Sequence, residues 1–166
     1  GAIIFGVALV VEYSASTVYH AVPHPTAKHV LKILDHAGIY LLIAGTYAPF
    51  CLVPLRTHGG WWLLGAVAAL AAAGISAEAF WPYRPRWLSA GIYLCMGWLV
   101  VFMVRPLVAN LEPAGLWLLV GGGLAYSLGT VFYVYQRVRY LHMVWHLFVV
   151  AGTVCHYLAV LLYVVL

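Results

Sequence analysis

The chain has 166 residues, of which 66% are hydrophobic and 7% are charged, and its formal net charge is +4. A soluble domain of this length cannot bury so much apolar surface, so the composition excludes a soluble globular protein and indicates a membrane protein. We expect no nucleic acid among its partners.

Six apolar runs are each long enough to cross a bilayer, whose hydrocarbon core of about 30 Å requires roughly 20 helical residues. Proline, charged residues and interfacial aromatic residues mark the short breaks between the runs. The predicted spans are residues 1–20, 34–54, 61–80, 87–105, 114–134 and 141–165. The sequence therefore predicts an all-α fold, a polytopic transmembrane helix bundle in a single domain over residues 1–166.

Basic residues in the predicted loops indicate the orientation, because loops rich in Lys and Arg remain on the cytoplasmic side. The first, third and fifth loops hold six basic residues: Lys28, Lys32, Arg84, Arg86, Arg137 and Arg139. The opposite side holds Arg56 and Arg105. We therefore predict a multi-pass protein of the inner (plasma) membrane whose odd-numbered loops face the cytoplasm.

Ionisable side chains are costly inside a membrane and mark candidate functional sites. The first span carries Glu12, Ser16 and His20 at intervals of four residues, so the three lie along one helical face. Asp35 begins the second span shortly after the loop that follows His20. Polar groups from two spans are therefore expected on the cytoplasmic side, with Glu12 lining a polar cavity or forming a buried hydrogen bond.

The last span begins with an H-x-x-x-H pair, His142 and His146, on the same predicted side. Imidazoles four residues apart on a helix can reach one metal ion. Histidines that only extend their rings to the membrane interface are the alternative. Together with His20, the pair would leave one tetrahedral position of Zn²⁺ open, as catalytic zinc sites do.

Three sequence blocks resemble the progestin and adipoQ receptor (PAQR) family and, within it, the bacterial hemolysin III-like proteins. The blocks are SASTVYH ending at His20, LDHAGIYLLIAGTYAPF over 34–50 and HMVWHLFVVAGTVCH over 142–156. The resemblance covers nearly the whole chain. It implies a seven-helix bundle with one zinc ion near the cytoplasmic surface. The family's first helix would precede the first span, and we expect this sequence to lack it.

The resemblance also implies the roles of the site residues. His20, His142 and His146 would be the zinc ligands, with Asp35 near the metal-bound water and Ser16 beside them. We expect Asp35 and Ser16 to be catalytic, Asp35 as general base and Ser16 as a hydrogen-bonding group. The favoured activity is ceramidase-like hydrolysis of a lipid amide or ester, with membrane lipids as substrates or ligands. The alternatives are a membrane-damaging cytolysin and a lipid-sensing, receptor-like protein with structural zinc.

Overall fold

The computed structural model describes residues 1–135 and 139–165, and these residues are helical with no β-strand among them. The α-helices of this described part are α1 (Ala2–Ala21), α2 (Pro25–Leu52), α3 (Gly60–Phe80), α4 (Arg86–Gly97), α5 (Val104–Asn110), α6 (Pro113–Val134) and α7 (Leu141–Val160). A 3₁₀ segment, Trp98–Met103, joins α4 to α5, and a π-helical turn, Leu161–Val165, extends α7. The predicted all-α fold is confirmed.

The helices supply enough apolar length for repeated membrane crossing. Six segments of the described chain are long and apolar enough to span a bilayer: Ala2–Ala21, Pro25–Leu52, Gly60–Phe80, Arg86–Asn110, Pro113–Val134 and Leu141–Val165. Large apolar side chains cover their outer surfaces, and Trp62, Phe80 and Phe102 are 85%, 89% and 83% exposed. Such surfaces are stable against lipid chains and not against water. The protein is therefore a multi-pass integral membrane protein in contact with membrane lipids.

The second span begins earlier than predicted, at Pro25 rather than at residue 34. Proline is favourable in the first helical turn, where its missing N–H would have no helical acceptor. The next residues include Lys28 and Lys32, which are half-buried and lay their ammonium groups over tyrosine rings. The break predicted between the spans 1–20 and 34–54 is thus wrong from Pro25 onward, because long cationic side chains can cover an apolar helix surface.

The fourth span ends later than predicted, because α5 continues to Asn110. Pro106 suggested a break, but it occupies the first turn of a helix that restarts after the 3₁₀ segment. A proline there sacrifices no helical hydrogen bond. The bounds of the other four predicted spans agree with the structure within one residue at each end.

The chain forms two compact units, Gly1–Arg84 (unit 1) and Pro85–Leu166 (unit 2). In unit 1, α2 packs against both α1 and α3. Ala8 of α1 lies directly against Gly45 of α2. Small residues at such contacts let helix backbones approach closely, which is how helices associate in lipid.

In unit 2, α6 and α7 pack side by side through glycines of α6. His156 of α7 lies against Gly122, and the ring of Trp145 lies against Gly129. The Nε2 atom of His156 donates a hydrogen bond to the Leu119 carbonyl at 3.0 Å. This polar bond joins two helices where no solvent competes for it, and it therefore fixes their relative register.

Candidate metal centre

The first turns of α7 bring two imidazole nitrogens together. The Nε2 atoms of His142 and His146 are 3.1 Å apart, and the rings are perpendicular with centroids 4.7 Å apart. Tyr140, at φ 73°, turns the chain immediately before α7 begins. Trp145 is buried against Tyr133, with ring centroids 5.2 Å apart, and so fixes the rotation of α7 about its axis. The histidine pair is therefore held in place by the packing of unit 2.

The separation of the two nitrogens fits two ligands of one zinc ion. Zinc–nitrogen bonds of about 2.0–2.1 Å at tetrahedral angles place two ligand nitrogens about 3.3 Å apart. The observed 3.1 Å is close to that value. The same distance also accommodates a hydrogen bond in which one ring N–H donates to the other nitrogen. The pair can therefore hold a metal ion or a shared proton.

A second group of polar side chains lies along the contact between α1 and α2. Glu12 of α1 faces Gly38 of α2, and the two helices run antiparallel. Since both helices rise 1.5 Å per residue, Ser16 lies about level with Asp35. Glu12, Ser16 and Asp35 are 7%, 8% and 7% exposed. We call this group the α1–α2 polar seam; His20 follows one turn beyond Ser16 and is exposed.

Glu12 is unusual within the polar seam. Its Oε2 atom occupies the space that a Cβ at position 38 would need, so a larger residue at this position would force the Glu12 carboxylate to move. No hydrogen-bond partner for Oε2 exists among residues 1–135 and 139–165. The sequence predicted that Glu12 either lines a polar cavity or forms a buried hydrogen bond. The described residues give its Oε2 atom no such hydrogen bond.

Glu78, at the end of α3, is a third buried carboxylate, is 1% exposed, and was not among the site residues predicted from the sequence. The guanidinium of Arg84 forms an ion pair with Glu78 and donates a hydrogen bond to the Tyr40 hydroxyl at 2.6 Å. The other carboxylate oxygen of Glu78 lies 3.5 Å from Nδ1 of His36. An acidic residue inside a predicted span, followed six positions later by an arginine, was the signal available in the sequence.

Each of the two units holds part of the predicted site. Ser16 and Asp35 belong to the polar seam of unit 1, while His142 and His146 converge in unit 2. Their assignment as catalytic and zinc-binding residues, with His20 as the third ligand, stays a prediction. Of the predicted cytoplasmic cations, Arg84 is buried and not a loop cation at the surface. Arg137 lies outside the described residues.

Comparisons of the sequence with a family model and with individual known proteins point to one family. The family model described as Haemolysin-III related matches residues 1–157. The chain is 44% identical to a "Hemolysin-3 homolog" of Bacillus subtilis (strain 168), over 98% of this chain and 76% of the relative. It is 41% identical to "Hemolysin-3" of Bacillus cereus, over 97% and 74% of the two chains. It is 32% identical to human "Monocyte to macrophage differentiation factor", over 95% and 67%. No solved structure matches the chain.

Proposed function

The chain belongs to the haemolysin-III related family, within the wider PAQR group, and from this premise we propose that it is a zinc-dependent membrane hydrolase of lipid amides or esters. The observation that carries the proposal is the 3.1 Å separation of the His142 and His146 Nε2 atoms. Two half-buried imidazole nitrogens that converge at a helix start form a donor set suited to zinc.

We assign the third ligand position to His20, from the S-x-x-x-H pattern that ends the first block of the family resemblance. Three histidine ligands distinguish a catalytic zinc site from a closed structural site, which uses four protein ligands. When bound, zinc would polarise a substrate carbonyl and lower the pKa of water in its open position toward 7.

Asp35 and Ser16 supply the acid–base and hydrogen-bonding groups of this proposal. Asp35 accepts the proton of the attacking water as that oxygen bonds to the carbonyl carbon. Ser16 donates a hydrogen bond to the carbonyl oxygen as negative charge develops there. The carbon–nitrogen or carbon–oxygen bond then breaks, and the leaving group takes the proton. Burial of Asp35 and Ser16 supports these roles, because polar groups act more strongly where water is excluded.

The proposal places the site at the cytoplasmic face of the inner membrane, on the basis of the loop charges. Labelling of a single introduced cysteine tests this placement. Because Arg84 is buried, the exposed Arg86 is the better position for it. Arg86→Cys should react only after cells are opened, and Arg56→Cys should react from outside. The reverse pattern would contradict the cytoplasmic placement.

Asp35→Asn tests the assigned chemistry, because it preserves shape and removes the base. We expect zinc to remain bound and cleavage of ceramide-like or ester lipids to fall about 10²–10⁴-fold, measured by mass spectrometry of lipid products. Glu112→Gln, at an exposed carboxylate in unit 2, is the matched control and should retain full activity. Cleavage that survives Asp35→Asn would remove Asp35 from the mechanism. Zinc binding without cleavage by the wild type would favour a sensor with structural zinc.

The two Bacillus relatives are named as hemolysins, which favours a second candidate function, a membrane-damaging protein. Lysis of erythrocytes by the purified protein distinguishes lipid hydrolysis from direct membrane damage. Lysis that Asp35→Asn abolishes would result from lipid cleavage, whereas lysis that Asp35→Asn leaves unchanged would indicate direct membrane damage.

A further inference from the structure

Cationic and aromatic side chains gather where α1 ends and α2 begins. The α2 entry cluster, as we name it, consists of Tyr19, Lys28, His29, Lys32 and Tyr83, all in unit 1. Lys28 Nζ donates to the Tyr19 carbonyl at 2.6 Å and lies 4.6 Å from the Tyr19 ring centroid. Lys32 Nζ lies 4.2 Å from the Tyr83 ring centroid, and the Tyr83 hydroxyl is 2.9 Å from His29 Nδ1. Each cation is thus held beside an aromatic ring.

The solvent-accessible charged side chains of the α2 entry cluster are positive. The acidic residues of unit 1 are Glu12, Asp35 and Glu78, and each is at most 7% exposed. Lys28 and Lys32 are only half-buried. The α2 amino terminus has no side-chain cap hydrogen bond, and its macrodipole adds positive potential at the same place. An anion approaching the α2 entry cluster therefore meets two ammonium groups and no exposed carboxylate of unit 1.

Aromatic exposure places the α2 entry cluster at the membrane surface. Trp81 is 55% exposed and Tyr83 is 67% exposed, both directly after the spanning helix α3. Trp and Tyr side chains at the ends of spanning helices occupy the headgroup region of the bilayer. Cations at this depth meet lipid phosphates before they meet soluble anions.

We propose that the α2 entry cluster binds the phosphate of an anionic phospholipid in the surrounding leaflet. Lys28 and Lys32, four residues apart on one helical face, neutralise the phosphodiester oxygens. The Tyr19 and Tyr83 rings hold the two lysine side chains at headgroup depth. This binding is independent of the proposed zinc site and of any hydrolysis.

The test is lipid retention by the full chain, measured by native mass spectrometry in detergent with added phosphatidylglycerol or phosphatidylcholine of identical acyl chains. The wild type should retain phosphatidylglycerol selectively. Lys28→Gln with Lys32→Gln should reduce that selectivity about 30-fold, since each lysine near an anionic lipid contributes about fivefold. Lys28→Arg with Lys32→Arg keeps both charges and should keep the selectivity.

Arg56→Gln is the matched control, since Arg56 is an exposed cation beyond the opposite end of α2. It should leave the selectivity unchanged. Helix content measured by circular dichroism shows whether the Gln variants are folded. If the Gln variants do not fold, the Arg variants still test the proposal, because they keep both charges. Equal retention of the two lipids by the wild type, an equal loss in Arg56→Gln, or displacement of the lipid by equimolar inorganic phosphate would overturn the proposal.

Discussion

Unit 1 buries two glutamates in opposite surroundings. Glu78 has a cation beside it, because Arg84 forms its ion pair and His36 lies 3.5 Å from its other oxygen. Glu12, also buried, faces Gly38 and forms no ion pair among the described residues. A buried charge with its counter-ion satisfied is a structural element. A buried carboxyl group without one is costly and is typical of functional sites.

The two glutamates belong to different groups of interacting residues within unit 1. The Glu78 pair ties the residue that ends unit 1, Arg84, to α2 and α3 through Tyr40. Glu12 instead lies in the α1–α2 polar seam with Ser16 and Asp35. We therefore expect stability to depend on the first group and function to depend on the second.

The largest effect on stability is expected from Arg84→Gln, which leaves Glu78 buried without its cation. Removal of one partner of a buried ion pair costs about 3–5 kcal/mol of unfolding free energy. Unfolding in mixed detergent micelles, followed by circular dichroism, measures this loss. Arg86→Gln removes an exposed charge two residues away and should change stability by less than about 0.5 kcal/mol.

The double variant Arg84→Gln with Glu78→Gln sharpens this result. Neutralising both partners should recover part of the loss, because no uncompensated charge stays buried. If Arg84→Gln is as stable as Arg86→Gln, the Glu78 pair is not the structural element described here.

A smaller effect is expected from Gly38→Ala, whose new Cβ would occupy the place of the Glu12 carboxylate. Forcing an extra carbon into a packed contact costs about 1–3 kcal/mol. Gly65→Ala is the control, since a Cβ there meets nothing within 4 Å. Adding Glu12→Ala to Gly38→Ala should restore most of the loss in the same unfolding measurement. A loss unaffected by Glu12→Ala would mean that Glu12 does not occupy this contact.

The smallest effect is expected from Glu12→Gln, because no ion pair involving Glu12 exists in the described part of the chain. The unfolding free energy should change by less than about 1 kcal/mol. Glu78→Gln, measured in parallel, should cost several times more because it leaves Arg84 buried without its carboxylate. Equal losses in the two variants would erase the distinction between the two glutamates.

Most of the fold could be predicted because apolar runs of membrane-spanning length have few alternative structures. The predicted helix bounds were wrong where the residue type indicated a loop or a break but the backbone is helical. Lys28 and Lys32 indicated a loop, yet their apolar stems lie along α2 with the ammonium groups over tyrosine rings. Pro106 indicated a helix end, yet it lies in the first turn of α5. Charge and proline mark the ends of spans only approximately.

The candidate site could be predicted only where the spacing of residues along one helix indicates which side chains lie together. The i, i+4 spacing of His142 and His146 predicted two converging nitrogens, and the structure has them 3.1 Å apart. No such rule connects Arg84 to Glu78 across a turn and to Tyr40 on another helix, because these contacts depend on how the helices pack. Arg84 therefore counted as a surface charge in the sequence, although its guanidinium is buried.

Zinc content tests the central claim most directly. Protein purified without chelator and analysed by mass spectrometry for metals should hold about one zinc ion per chain. His142→Ala with His146→Ala should lose it, while His24→Ala with His58→Ala, which alters two histidines outside the proposed ligand set, should retain it. A wild type free of zinc after purification with zinc supplied, or full zinc retention in the His142→Ala, His146→Ala variant, would contradict the proposed metal centre.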